Sequence, residues 1–196
     1  MSTLIVALRV TIVTLIVTGF LYPAAVTGIA KVLFSSAAEG ALIRDDRGQV
    51  IGSAWIAQGF AKPGYFQPRP SAAGNGYEAN NSGASNFGPT SQKLRERAQA
   101  DAKRLAGDNP GAPGPVPAEL VTASASGLDP HISPEAALWQ LPRVAKSRRV
   151  EASRLRPLVD AMTEGRDLGF LGEPRVNVLL LNRAVDRLLG APPPAP

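Results

Sequence analysis

The chain has no cysteine and a single histidine, His131. The first absence removes every disulfide framework and every thiolate metal site. The second removes the multi-histidine ligand sets on which catalytic zinc centres depend. Aromatic residues make up 6% of the 196 positions, and the basic residues are not interleaved with them, so the stacking platform of a nucleic-acid binder is missing. No GxxxxGKS or GxxxxGKT loop occurs to cradle phosphates, no Asp-Lys-Thr-Gly run, and no Gly-x-Ser-x-Gly elbow. Chain punctuation, by contrast, is plentiful. With 18 Pro and 19 Gly, a turn-rich domain is expected.

One stretch organises the rest: Val10 to Ala30, VTIVTLIVTGFLYPAAVTGIA, which carries no charge. As a helix it reaches roughly 30 Å, the thickness of a bilayer's hydrocarbon core. Its hydroxyls belong to Thr and Tyr, and a helical Thr can return its hydrogen bond to its own backbone. Gly19, Pro23 and Gly28 would weaken a soluble helix but are tolerated in bundled membrane helices. Arg9 and Lys31 close the two ends. A cleaved signal peptide, with Ala24-Ala25 suiting a peptidase, has a shorter apolar region of about 7–15 residues. A core helix of this length would show one polar face. The reading is one membrane-spanning helix tethering a domain large enough for its own core. Charge in the short flanks leaves its orientation undecided.

Beyond the anchor, Leu42-Ile43 and Val50-Ile51 flank Asp46-Arg47-Gly48, a hairpin signature, with Trp55 and Ile56 expected to extend the second strand. Gly59 to Pro89 is too rich in Gly, Pro, Asn and Ser for regular structure, yet it holds Phe60, Tyr65, Phe66, Tyr77 and Phe87. A flexible linker has no use for five aromatics, so an ordered, packed loop that supplies a contact surface is expected. A helix capped at Thr90 or Ser91 should end at Gly107, followed by a stiff spacer, Asp108 to Pro117. Pro134 to Gln140 reads as a short helix that Pro142 interrupts. Leu155, Leu158, Val159 and Met162 form the stripe of another helix, ended by Gly165. A buried strand through Val176, Val178 and Leu180 and a closing helix through Leu189 complete an α+β order. Of the net +5, the one basic cluster is Lys146, Arg148, Arg149, Arg154 and Arg156. It reads as a solvated helical surface first and a contact for an acidic partner second.

Glu119 to Pro134, ELVTASASGLDPHISP, is the segment most suggestive of chemistry. His131 has Asp129 two residues before it and Ser124, Ser126 and Ser133 nearby, the residue types of a hydrolase. Triad members, however, usually come from separate elements. The plainer alternative is a helix start, with Ser133 as cap, Pro134 at the first helical position and Asp129-Pro130 as a turn.

Five runs carry a resemblance: LYPAAVTGIA at 21–30, YFQPRPSA at 65–72, SGASNFGP at 82–89, LVTASASGLDPHISP at 120–134 and GFLGEPRVNVLLLN at 169–182. With them, in this order, the chain resembles the C subunit of the high-affinity potassium-transporting ATPase, the KdpC family, over nearly its full length. The departures are Trp139, where the family commonly carries another residue, and the proline-rich tail after Arg187.

The resemblance implies a non-catalytic accessory subunit of a pump. Its partners would be a channel-like potassium subunit, a P-type ATPase subunit, a small membrane peptide and the lipid bilayer, with no nucleic acid. It implies a cytoplasmic stretch at 1–9, a transmembrane helix at 10–30, one extracytoplasmic α+β domain at 31–190 and a tail at 191–196, all at the plasma (inner) membrane. Potassium would be the transported ion, no metal would be held by this chain, and ATP would be met only in a ternary complex with the ATPase subunit. Two roles are implied: raising that subunit's ATP affinity, and holding the complex together over the channel mouth. Gly19 and Gly28 would pack on the channel subunit, while Tyr65, Phe66, Arg69, Asn86 and His131 would stabilise the domain or face the partner. A membrane-anchored hydrolase built on His131 and Asp129, or a module binding envelope polymers, remain the readings from other classes.

Overall fold

The computed structural model of the chain describes residues 2–192. Met1 and residues 193–196 of the proline-rich tail lie outside the described residues. The chain divides into two compact units, Met1–Ser53 and Ala54–Pro196.

In the first unit, helical structure runs unbroken from Ser2 to Leu33. It comprises α1 (Ser2–Ile16), a π-helical turn (Val17–Leu21) and α2 (Tyr22–Leu33). At ~1.5 Å per residue the run is about 48 Å long, so it extends past the apolar stretch at both ends and takes in Arg9 and Lys31. None of its side chains is buried. Pro23 follows directly on the π-helical turn, inside the continuous helix; it has no N–H to donate to the preceding turn, a loss that bundled membrane helices tolerate. Thr18 Oγ donates to the Thr14 carbonyl at 2.7 Å, the local return of a hydroxyl's hydrogen bond expected in apolar surroundings. After a single turn, α3 (Ser35–Ala38), the hairpin forms from β1 (Leu42–Arg44) and β2 (Val50–Ser53). Asp45 builds its turn by accepting from the N–H groups of Arg47 at 2.9 Å and Gln49 at 2.8 Å. Gly48 supplies the positive φ of +78°. The second strand stops at Ser53 instead of running through Trp55 and Ile56: Ser53 Oγ donates back to the Gly40 carbonyl at 2.7 Å, and the chain turns at Ala54-Trp55.

The second unit is the mixed domain. Its elements are α4 (Gln92–Asp108), β3 (His131–Ile132), α5 (Pro134–Arg148), α6 (Ala152–Ala161), β4 (Thr163–Glu164), β5 (Arg175–Asn177) and α7 (Val178–Leu189). The three strands are antiparallel in the order β3-β5-β4, with His131 opposite Asn177 and Thr163 opposite Val176. Helices α5, α6 and α7 enclose the core with them: Ile132, Val144, Leu155, Val159, Val176, Leu181 and Val185 are all buried. Phe66, from the irregular tract, is fully buried among them. Phe66 thus anchors the tract in the core and Phe60 packs against it, whereas the far end of the tract is open, with Phe87 exposed.

Serine caps hold where local sequence called for them. Ser91 accepts from Leu94 N at 3.4 Å and Ser133 from Ala136 N at 3.1 Å, with Pro134 in the first turn of α5. Elsewhere burial overrides local signals. Pro142 does not interrupt α5, which continues to Arg148 with nine of its side chains buried. That burial outweighs the ~3 kcal/mol a helix-interior proline costs. Arg149 then takes a left-handed φ of +56° and closes the helix, with Arg149 N–H on the Lys146 carbonyl and Val150 N–H on the Ala145 carbonyl. Helix α6 ends at Ala161 with Met162 as its C-cap, not at Gly165, because Thr163 and Glu164 pair with β5. Strand β5 stops at Asn177, whose side chain accepts from Leu180 N at 3.1 Å and starts α7. Val178 and Leu180 are thus helical, not extended. The proline-rich spacer is packed as well: Asn109 is buried, and Ala112 and Val116 lie against the core.

Candidate functional site

A run without regular structure can hold a fixed shape only if its backbone polar groups find partners. For residues 63–67 those partners are side chains from helices α5 and α7. Asn182 on α7 accepts from Phe66 N–H at 2.8 Å and donates to the Phe66 carbonyl at 2.9 Å. Gln140 on α5 does the same for Gln67, at 2.8 and 3.0 Å. Arg143, one turn along α5, donates to the carbonyls of Pro63 at 2.5 Å and Tyr65 at 3.0 Å, and to the side chains of Asn109 and Gln140. Burial pulls the Arg143 guanidinium down to about 10, with the Asp108 charge acting in the opposite direction. It therefore stays charged at neutral pH.

Arg148 completes this polar wall. Its side chain is 2% exposed and ion-paired to Asp186 at 2.6 Å. It donates to the Gly64 carbonyl at 2.8 Å, bonds the Gly190 carbonyl, and lies 4.9 Å from the centre of the Tyr65 ring. Tyr65 donates its hydroxyl to the other oxygen of Asp186 at 2.8 Å. Burial first, and this bond second, push the Tyr65 hydroxyl's pKa up. Arg148 is thus a core residue, not part of a solvated basic surface: a carboxylate and two carbonyls bought from distant segments replace the water it gave up.

A second cluster lies where the tract meets β3. Arg69 donates to Asp129 at 3.0 Å and to the Thr122 carbonyl at 3.4 Å. Asp129 also accepts from the His131 N–H at 3.0 Å, with His131 Nδ1 3.7 Å away. Burial acts to raise the Asp129 carboxyl, but the bonds from His131 and Arg69 outweigh it and hold it below the usual range. The nearby hydroxyls are engaged elsewhere. Ser133 donates to Glu119 at 2.6 Å while capping α5, and Ser124 and Ser126 lie against each other at 3.3 Å. The cluster therefore has a base and a carboxylate without a nucleophile on the base. Tyr77 donates to the Arg69 carbonyl at 2.8 Å, and burial drives its hydroxyl up to about 12.

Of the residues singled out in the sequence, Tyr65 and Phe66 sit together in the stapled run, and Arg69 and His131 share Asp129. Asn86 stands apart, exposed and left-handed at φ +49°. Gly19 lies in the π-helical turn and Gly28 in α2, each with open space where a Cβ would be. Sequence reasoning missed Gln140, Arg143, Asn182 and Asp186. Their one local signal is polar residues three apart, Gln140 and Arg143, on the same helix face as the buried Ala136, Ala137 and Val144. Among the described residues no group of three or more His, Asp or Glu is placed to hold a metal ion.

The profile of the KdpC family, described as the c chain of K+-transporting ATPase, matches residues 4–187. The chain belongs to that family. The Potassium-transporting ATPase KdpC subunit of Myxococcus xanthus is 60% identical over 194 residues, covering 99% of this chain and 92% of the relative. The subunit of the same name from Rhodospirillum rubrum is 58% identical over 171 residues, covering 87% and 88%. That of Koribacter versatilis is 48% identical over 191 residues and 97% of each chain. The match takes in both units, the apolar helix and the mixed domain.

Proposed function

We propose that this chain is the anchored, non-catalytic accessory subunit of a potassium-pumping ATPase complex. It crosses the inner membrane once, with its amino terminus in the cytoplasm and its mixed domain outside, and binds the channel-like and P-type ATPase subunits and the small membrane peptide. The observation that carries this reading is the match to the c-chain family over 4–187, together with a 32-residue apolar helix of which no side chain is buried within the chain. Such a helix needs lipid or other helices around it. Potassium is the complex's cargo. The domain's shape, set by buried side chains gripping an irregular run, suits a rigid docking body. Assembly and stabilisation of the other subunits is the favoured role. Any effect on ATP affinity would have to travel through the anchor, because nucleotide lies across ~30 Å of hydrocarbon.

Topology tests the reading directly. With no native cysteine, Ala79→Cys gives one thiol at an exposed position. Labelling in intact cells by a membrane-impermeant reagent is expected. Labelling only after lysis would put the domain inside and revive direct contact with nucleotide.

A further inference from the structure

The connection from β4 to β5, residues 165–174, does something unusual for the exposed part of a domain. Leu168, Phe170 and Leu171 are 83%, 69% and 49% exposed. Among the described residues of the second unit, six large hydrophobic side chains are exposed, and three fall within these four positions. Scattered exposed leucines need no explanation, but a cluster at one tip does.

The tip is also built, not loose. Asp167 and Leu171 exchange both backbone hydrogen bonds at 2.9 Å, and Gly169 N–H reaches the Arg166 carbonyl at 3.1 Å. Leu168 is held at φ +54°, a left-handed conformation that costs an L-residue energy and that the adjoining Gly169 and Gly172 adopt freely. Sequence selection for the turn alone favours Asn or Gly there. A leucine strained outward into water indicates that its side chain is used.

Charge around the tip identifies the kind of surface it meets. Arg166 pairs with Glu173 at 2.6 Å, and Arg175 with Glu164 at 2.9 Å and Asp167 at 3.2 Å. Three carboxylates answer two guanidiniums, so the loop is net negative by one and both cations are committed. An apolar tip that inserts among anionic lipid headgroups is normally ringed by free Lys and Arg. This one is not: carboxylates hold both guanidiniums, which disfavours an anionic lipid surface and suits an apolar protein pocket with a neutral or basic rim.

We infer that the Leu168–Leu171 tip is a preformed knob that seats in an apolar pocket on another subunit of the pump. The inference rests on the assembly reading above and names the residues that make the contact.

The test uses the full chain in membranes of cells producing all subunits of the complex. A photo-crosslinking benzoylphenylalanine replaces Phe170, and Leu168→Asp and Phe170→Asp are purified by a tag on this chain in mild detergent. Expected results are a crosslink to an identified pump subunit and at least a tenfold drop in recovered complex for each Asp variant, with the melting temperature of the full chain unchanged. Wild-type recovery from folded Asp variants, or a crosslink to lipid alone, overturns the knob while leaving the assembly reading in place. A wild-type chain that recovers no pump subunit overturns both. Should the Asp variants fail to fold, the crosslink decides.

Discussion

Asn182 and Phe66, 116 positions apart, are joined by two hydrogen bonds, so that one buried side-chain amide serves as the strand partner that Phe66 otherwise lacks. Replacing it with a leucine of similar size leaves a buried N–H and a buried carbonyl unpaired. Each such orphan costs about 1–3 kcal/mol. Asn182→Leu is expected to destabilise the second unit by about 3 kcal/mol in denaturant titration of the detergent-solubilised chain. A change below about 1 kcal/mol would mean that the irregular run is held by Phe66 packing alone.

Acid stability should follow Asp129. Its carboxyl is held below the usual range in the fold by the bonds from His131 and Arg69, which outweigh burial. A depressed folded pKa contributes stability that is complete above the unfolded value, near 3.9, and is lost as pH falls through the folded one. The expected outcome is a Tm that falls below about pH 4 in the wild type and falls less steeply in Asp129→Asn. Parallel profiles for the two chains would show that Asp129 is not the titrating group.

Two backbone positions predict opposite signs. Arg149 is exposed and left-handed, in the place where helices favour glycine. Arg149→Gly should therefore stabilise by ~0.5–1 kcal/mol. Gly127 is also left-handed, at φ +68°, but an added Cβ would meet Ala73 N and the Gly83 carbonyl at 2.6 Å. Gly127→Ala should cost about 3 kcal/mol, combining backbone strain with overpacking. Thermal unfolding of both variants checks the pair, and a shift of the same sign in each would contradict the backbone argument.

What could be read in the sequence is what depends on neighbours. Ser91 and Ser133 cap helices because the groups they satisfy lie three residues away. Gly48 marks the hairpin turn for the same reason, although it is Asp45, not the expected Asp46, whose carboxylate holds it. The apolar helix was legible from length and charge, and the helices of the mixed domain from periodicity, but the two-residue strands β3 and β4 are too short to leave a periodic signal and were not legible. The polar wall was not, because the partners of Gln140, Arg148 and Asn182 lie 73, 84 and 116 positions away. A run of basic residues looks solvated until the fold supplies Asp186 and the Gly64 carbonyl to one of them. Pro142 misled for a related reason, since the burial that carries α5 through it comes from α6, β5 and the irregular tract. Two of the runs behind the family resemblance, at 65–72 and 169–182, meet through Phe66 and Asn182, a link that only the structure displays.

The anchor offers the cleanest separation of folding from assembly. Gly19 and Gly28 have nothing within 4 Å of where a Cβ would lie, so a larger side chain meets no obstacle within this chain. Leucine is also the better helix former, by up to ~1 kcal/mol at each position. Gly19→Leu with Gly28→Leu should leave the isolated chain as stable as before, or more so. If those glycines let a partner helix approach closely, the added bulk separates the two backbones and removes the packing that holds them. A loss of about 1.4 kcal/mol is tenfold in affinity. The expected result is on the order of tenfold less complex recovered in detergent, at unchanged expression and membrane insertion of this chain. Undiminished recovery would place the helix contact on another face, and single substitutions would then tell whether the π-helical turn around Gly19 or the α2 segment around Gly28 makes it.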